Sequence, residues 1–226
     1  MRPRGVIVAI DGPAGAGKST LSRRLAERVG STLVDTGALY RAVALSARRR
    51  GVAHDDGPAL GALASSLRFA YVDGQLEVDG ERYGDALRTS ETSAGASRVS
   101  AHAEVRSALL GVQREMGRAG GVVLEGRDIG TVVYPDAELK VFLVASDEER
   151  ARRRLAELVE RGEAASLEGV LGELRERDRR DEERAVAPLR MAEGAIRLDT
   201  TGRTLESLVD ELAALVRSAV ARARAQ

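Results

Sequence analysis

Apolar runs at Val6–Ile10, Thr32–Val34, Val122–Leu124, Leu139–Val144 and Ala195–Leu198 alternate with stretches whose apolar residues recur at helical spacing. Runs that are apolar on both faces and separated by helices predict a parallel sheet covered on both sides, a three-layer α/β domain with five strands. The period changes over 66–98. Leu67–Val72, then Gln75–Val78 after Asp73-Gly74, then Glu81–Tyr83 after Asp79-Gly80, predict short antiparallel strands joined by two-residue turns. From 146 to 184 the chain is highly charged at helical spacing, with an interruption at Gly162. Leu205, Leu208, Val209, Leu212, Leu215 and Val216 predict one amphipathic helix docked on the sheet. No internal repeat or low-complexity linker is visible.

In such a sheet, ligands bind beyond the carboxyl ends of the strands. The first strand runs into Gly12-Pro13-Ala14-Gly15-Ala16-Gly17-Lys18-Ser19, which fits G-x-x-x-x-G-K-[ST]. Glycines let successive N–H groups turn inward on a phosphate chain, and a helix expected to start at Ser19–Thr20 adds its positive end. Lys18 supplies a cation for the β/γ-phosphates, and the Ser19 hydroxyl is placed for Mg²⁺, directly or through water. A Gly-rich turn that fits by chance would lack the buried strand before it and the amphipathic helix after it (Leu21, Leu25, Val29). The loop predicts a nucleoside triphosphate site.

Composition removes several classes. The 226 residues carry 35 basic and 35 acidic side chains, so no global field draws the chain to nucleic acid or an anionic membrane. With no cysteine there is no disulfide, thiolate metal site or cysteine nucleophile. Aromatics, at 3%, are too few for stacked single-stranded nucleic acid. The run Val6–Ile10 is shorter than the roughly 7–15 residues of a signal-peptide core, and nothing approaches the ~20 of a membrane span. A soluble cytoplasmic protein is expected. Only Lys18 and Lys140 are lysines, so the one in the loop stands in a chain that otherwise uses Arg.

Three further clusters follow strand ends or occupy the charged stretch. Asp35-Thr36-Gly37-Ala38-Leu39-Tyr40-Arg41 offers a hydroxyl and a guanidinium for an anionic second substrate, although Asp35 or Thr36 could simply cap a helix. Gly126-Arg127-Asp128-Ile129-Gly130 places an Arg–Asp pair between glycines, suited to phosphate or to a structural salt bridge. Arg177, Asp181 and Arg184 share a helical face, which could equally be solvated. A nucleic-acid patch is excluded there, because residues 147–184 hold 10 Arg against 13 Asp and Glu.

Taken together these segments resemble the bacterial cytidylate kinases. The likeness runs through IDGPAGAGKST, DTGALYR, LRTSET, SRVSA, VRSALL, EGRDIGTVVYPDAELKVFL, ERDRRDEERAVAPL and LDTT, and covers nearly the whole chain. GRDIGTVV and RERDRRDEERAVAPL are far more specific than the phosphate loop. The resemblance implies a P-loop kinase fold with a core (1–65, 99–155 and 168–226), a nucleoside-monophosphate-binding insertion near 66–98 and a helical lid near 156–167. It implies transfer of the ATP γ-phosphoryl group to CMP or dCMP, with Mg²⁺, by a monomer that contacts neither nucleic acid nor membrane. The acceptor phosphate is already anionic, so no general base is required, in keeping with His54 and His102 lying outside every motif. Gly12 to Thr20 would hold ATP together with Arg150. Thr36, Arg41, Ser97, Arg106, Arg127, Asp128, Arg177, Asp181 and Arg184 would hold CMP, with cytosine at Ser97, Arg106 and Asp128 and the sugar near Asp181. Lys18, Arg127, Arg154 and Arg184 would stabilise the transferring group. Arg150 and Arg154 are four apart, but the run Arg152-Arg153-Arg154 leaves the individual lid roles open.

Two other readings compete. A nucleotide-binding regulatory switch would carry the guanine-reading N-K-x-D, absent from a chain whose second lysine is followed by Val141. A P-loop kinase of another small acceptor, such as shikimate or dephospho-coenzyme A, fits the Asp–Arg sets after the strands less well than a phosphorylated nucleotide does.

Overall fold

The computed structural model describes residues 2–72 and 74–225. Its central sheet contains β1 (Ile7–Asp11), β2 (Thr32–Asp35), β6 (Val122–Gly126), β7 (Leu139–Val144) and β8 (Ile196–Asp199) in the order β2-β6-β1-β7-β8. Strand β1 pairs in parallel with β6, from Ile7↔Val122 to Asp11↔Gly126, and with β7 on its other side; β7 pairs in parallel with β8. Every residue of β1 is buried, as its unbroken apolar run requires of a central strand. The five predicted strands are present, with every end within one residue of its expected place except that of β6, which continues two residues past Leu124 to Gly126.

The residues separate into two compact units, 1–33 with 119–183 and 187–226, and 34–118 with 184–186. In the first, α1 (Lys18–Val29) and α8 (Leu205–Ala225) bring Leu21, Leu25, Leu208, Leu212 and Val216 into one core with Val8, Ile10, Val141 and Leu143. Leu25 and Leu212 have no exposed surface and each contributes about 2 kcal/mol by burial. Helix α1 begins at Lys18, one residue earlier than expected, because Gly17 at φ 86° turns the loop directly into the first turn. Helices α6 (Asp147–Glu160) and α7 (Leu167–Glu183) flank Gly162 and share an apolar cluster of Leu158, Val170 and Leu174. Helix α7 ends at Glu183, so Arg184 does not continue the helical face of Arg177 and Asp181 that its spacing suggested. After the helix the chain turns back, with the Leu189 N–H donating to the Asp181 carbonyl at 2.7 Å.

The second unit holds α2 (Thr36–Arg49), α3 (Gly57–Ser66), α4 (Ser90–Val99), α5 (Ala103–Gly117) and the antiparallel sheet β3 (Phe69–Val72), β4 (Gln75–Val78), β5 (Glu81–Arg82). Asp79 and Gly80 adopt φ 53° and 82°, the paired positive angles of a two-residue hairpin turn. Asp73, in the other predicted turn, lies outside the described residues. Helix α4 was not legible as a separate element: Ser90–Val99 is built largely of small residues, and its start is fixed by Thr89, whose hydroxyl accepts from the Thr92 N–H at 3.1 Å. Leu39, Leu45, Leu60, Val78 and Leu109 form this unit's own core. Among the described residues no helix is long and apolar enough to cross a membrane.

Candidate active site

The loop Gly12–Gly17 leaves the end of β1 packed against β7. A Cβ on Gly12, at φ 151°, would lie 2.3 Å from the Leu143 carbonyl oxygen, so no other residue fits there without moving a strand. Lys18 folds back under the loop and its ammonium donates to the Gly12 and Pro13 carbonyls at 2.8 and 2.7 Å. Ser19 donates to the Glu125 carboxylate at 2.9 Å, while Thr20 is exposed on the first turn of α1. Burial, then the Arg127 guanidinium, push the Lys18 ammonium well below its usual range; Arg177 adds to this, and the Glu125 and Asp181 carboxylates oppose it.

Lys18 thus lies within electrostatic reach of two guanidiniums, Arg127 and Arg177. Arg127 is aimed by Asp181, which accepts from its Nε at 2.9 Å, and its Nη1 donates to the Gly126 carbonyl at 3.2 Å. Asp128 is buried at the head of the wide, π-type helical turn Ile129–Val133, where its carbonyl accepts from the Val132 and Val133 N–H groups. The turn is held from below by Asp11, whose two carboxylate oxygens accept from the Ile129 and Gly130 N–H groups at 2.8 Å each. Desolvation raises the Asp11 pKa to about 6; the two N–H bonds act against this, Asp128 with it, and Lys18 against it.

Arg150 is buried and its contacts are with protein. It donates to the Ala14 carbonyl at 3.0 Å, to Asp178, and to Asp147 at 2.5 Å. Arg153 donates to the Thr200 hydroxyl and carbonyl at 2.9 Å each, and that hydroxyl donates to the Ala16 carbonyl at 3.3 Å. Arg154, one turn beyond Arg150, bonds Glu157 at 3.1 Å.

In the second unit, Asp35 caps α2 by accepting from the Ala38 N–H at 3.1 Å and also accepts from Arg41 at 2.6 Å. Thr36 is buried beside it at the first position of α2. Arg106 reaches the Ser100 carbonyl at 3.2 Å with its guanidinium 5.5 Å from the Tyr40 ring centre. Ser97 is buried on α4, its hydroxyl among the buried side-chain atoms without a hydrogen-bond partner, and Arg184 is buried as well.

Within the first unit the structure thus gathers Lys18, Ser19, Arg127, Arg177 and Asp181. The expected set did not include Asp11, Glu125, Asp178 or Thr200. The first two carried a signal: each is a lone carboxylate at the end of an otherwise apolar strand, and buried carboxylates must find N–H groups or cations. Asp178 sits within the charged run Glu176–Arg184, where spacing cannot single it out.

The sequence profile of the cytidylate kinases matches residues 8–218, through both units. The chain belongs to the cytidylate kinase family. Proteins described as cytidylate kinase from Citrifermentans bemidjiense and Geobacter sp. strain M21 are 49% and 50% identical to it over 226 residues, covering 98% of this chain and 97% of each relative. That of Geobacter sulfurreducens is 48% identical over 218 residues, covering 95% of this chain and 94% of its own. Among solved structures, the shikimate kinase from Acinetobacter baumannii in complex with shikimate aligns with 96% of this chain at a TM-score of 0.49 and 17% identity.

Proposed function

We propose that this chain transfers the γ-phosphoryl group of ATP to CMP or dCMP, giving ADP and CDP or dCDP. The observation that carries the reading is the convergence of Lys18, Arg127 and Arg177 in one unit of a cytidylate-kinase-family chain. Both guanidiniums oppose the charge on Lys18, which folds under the loop against the Gly12 and Pro13 carbonyls, and phosphate oxygens would supply the charge that offsets the repulsion. The loop amides and Lys18 hold the β/γ-phosphates of ATP. Ser19 and Glu125, an oxygen pair 2.9 Å apart, would hold Mg²⁺, directly or through water; the ion supplies charge neutralisation on the phosphate oxygens.

Arg41, Arg127, Arg177 and Arg184 bind the acceptor phosphate, and Thr36 adds a hydroxyl. The acceptor oxygen is an anion at neutral pH, so these residues work by position and charge rather than by proton transfer. Ser97, Arg106 and Asp128 read cytosine. Asp128 accepts from the exocyclic amine, where uracil presents a carbonyl, so UMP is disfavoured by about tenfold or more. Asp181 takes the sugar hydroxyl. The segment 156–167 acts as the lid and Arg154 is its contribution to the transferring group. Residues 66–98 form the acceptor-side insertion. The same reading has the chain acting as a cytoplasmic monomer, with neither nucleic acid nor membrane as partner; a kinase of another small acceptor is not favoured.

Lys18→Ala tests the donor half. Turnover should fall by at least ~10²-fold, the scale of losing one charge-stabilising group. Near-normal turnover would mean that the loop binds something other than a reacting phosphate.

A further inference from the structure

One residue of the phosphate loop is held differently from the rest. Ala14 is buried, and its side chain packs into the small apolar cluster of Ala151, Leu158, Val170 and Leu174 on helices α6 and α7. Its N–H donates to Asp178 Oδ1 at 3.2 Å, and its carbonyl accepts from Arg150 Nη1 at 3.0 Å. Asp178 and Arg150 bond each other, closing a ring around the Ala14 backbone, and the second Arg150 nitrogen is bonded to Asp147. Both members of the ring are buried, with residue exposures of 8% and 5%.

The Ala14 N–H is therefore committed to a carboxylate of the protein and is not a phosphate donor. The Arg150 contacts, likewise, all go to loop backbone or to carboxylates. The amides left to converge on a phosphate chain are those from Gly15 onward. Their direction depends on where the Ala14 backbone is fixed, because Gly15 follows at φ 74° and turns the chain sharply.

We propose that Asp178 is a positioning residue for the ATP side of the reaction. Together with Arg150 it fixes the third residue of the phosphate loop, so that the amides of Gly15 to Ser19 are aimed before ATP arrives. Asp178 touches no substrate; it acts through Ala14. It is one residue from Arg177 and three from Asp181, both read above as acceptor contacts, yet its side chain points to the donor loop. Helix α7 thus serves donor and acceptor from different faces. The proposal rests on the reading that the loop holds the phosphates of ATP.

The test compares the full-length wild type with Asp178→Asn, Asp178→Glu, Arg150→Lys and the double variant Asp178→Asn with Arg150→Lys, each checked by thermal melting. Calorimetric titration reads the donor side with Mg²⁺-ADP and the acceptor side with CMP, alongside KM for each substrate. Asp178→Asn should weaken ADP binding and raise KM for ATP about tenfold, the scale of one hydrogen bond to a charged group, while CMP affinity changes by less than about twofold. Asp178→Glu should recover part of the loss. The double variant should be no worse than the worse single variant, because the two residues act as one unit. If Asp178→Asn does not fold, Arg150→Lys carries the same comparison. Equal losses for ADP and CMP, unchanged ADP binding, or additive losses overturn the proposal. Wild-type turnover of CMP decides the kinase reading separately, while the ADP arm decides this one whatever the acceptor is.

Discussion

Arg127 and Asp181 meet at 2.9 Å, and this contact joins two assignments that the sequence kept apart, phosphate for the arginine and sugar for the aspartate. An aspartate that orients a phosphate-binding arginine affects every acceptor; one that also bonds a sugar hydroxyl affects ribonucleotides more. Asp181→Ala should therefore lower kcat/KM for both CMP and dCMP, with the larger loss for CMP by about tenfold, the value of a hydrogen bond involving a charged group. Steady-state kinetics with the two acceptors checks this, and equal losses would remove Asp181 from the sugar while leaving it as the partner of Arg127. At this scale the sequence singled out Lys18, Arg127 and Asp128 because each stands at a fixed motif position after a strand, and the structure buries Lys18 and Asp128 and ties Arg127 to Asp181. It was silent on Asp178 because pairing of charges within the run Glu176–Arg184 is set by tertiary packing, which helical spacing does not reveal.

Strand β1 and the turn that follows β6 are tied by Asp11, which occupies the last position of the strand and accepts two N–H groups of the turn carrying Asp128. Burial makes this carboxylate hold its proton up to about 6, against an ordinary value of 3.8. Between those values the folded chain binds a proton that the unfolded chain has released. The contribution of this group to stability is thus fully present below about pH 4 and is lost as pH rises through 6. Relative to Asp11→Asn, which does not titrate, the wild type should gain up to about 3 kcal/mol between pH 7 and pH 4 in urea melts. A difference that stays constant, or shrinks, would show that Asp11 is not so held. The elements themselves were legible to different degrees. Near-continuous apolar runs marked the five strands of the central sheet, and Asp79-Gly80 marked the hairpin of the small antiparallel one. The small residues of α4 gave no period, and the one-residue shift at the start of α1 follows from the conformation of Gly17.

For the whole molecule, equal numbers of acidic and basic residues leave no net charge, so under the proposed function recognition of anionic substrates would fall to local groupings such as Lys18, Arg127 and Arg177. The fold class was open to sequence reading because alternating apolar strands and amphipathic helices have few packing solutions. The extent of the two compact units was not. Residues 34–118 share one core in which Leu76 and Val78 of the small sheet sit with Leu39, Leu60 and Leu109 of the helices, contacts between segments distant in sequence. Under the proposed function, this chain phosphorylates cytidine monophosphates selectively. The most direct measurement is ADP release, with ATP and Mg²⁺, across CMP, dCMP, UMP and AMP at matched concentrations. CMP and dCMP should be turned over at least about tenfold faster than UMP or AMP. Equal rates for all four acceptors would rule out selective reading of cytosine by Asp128.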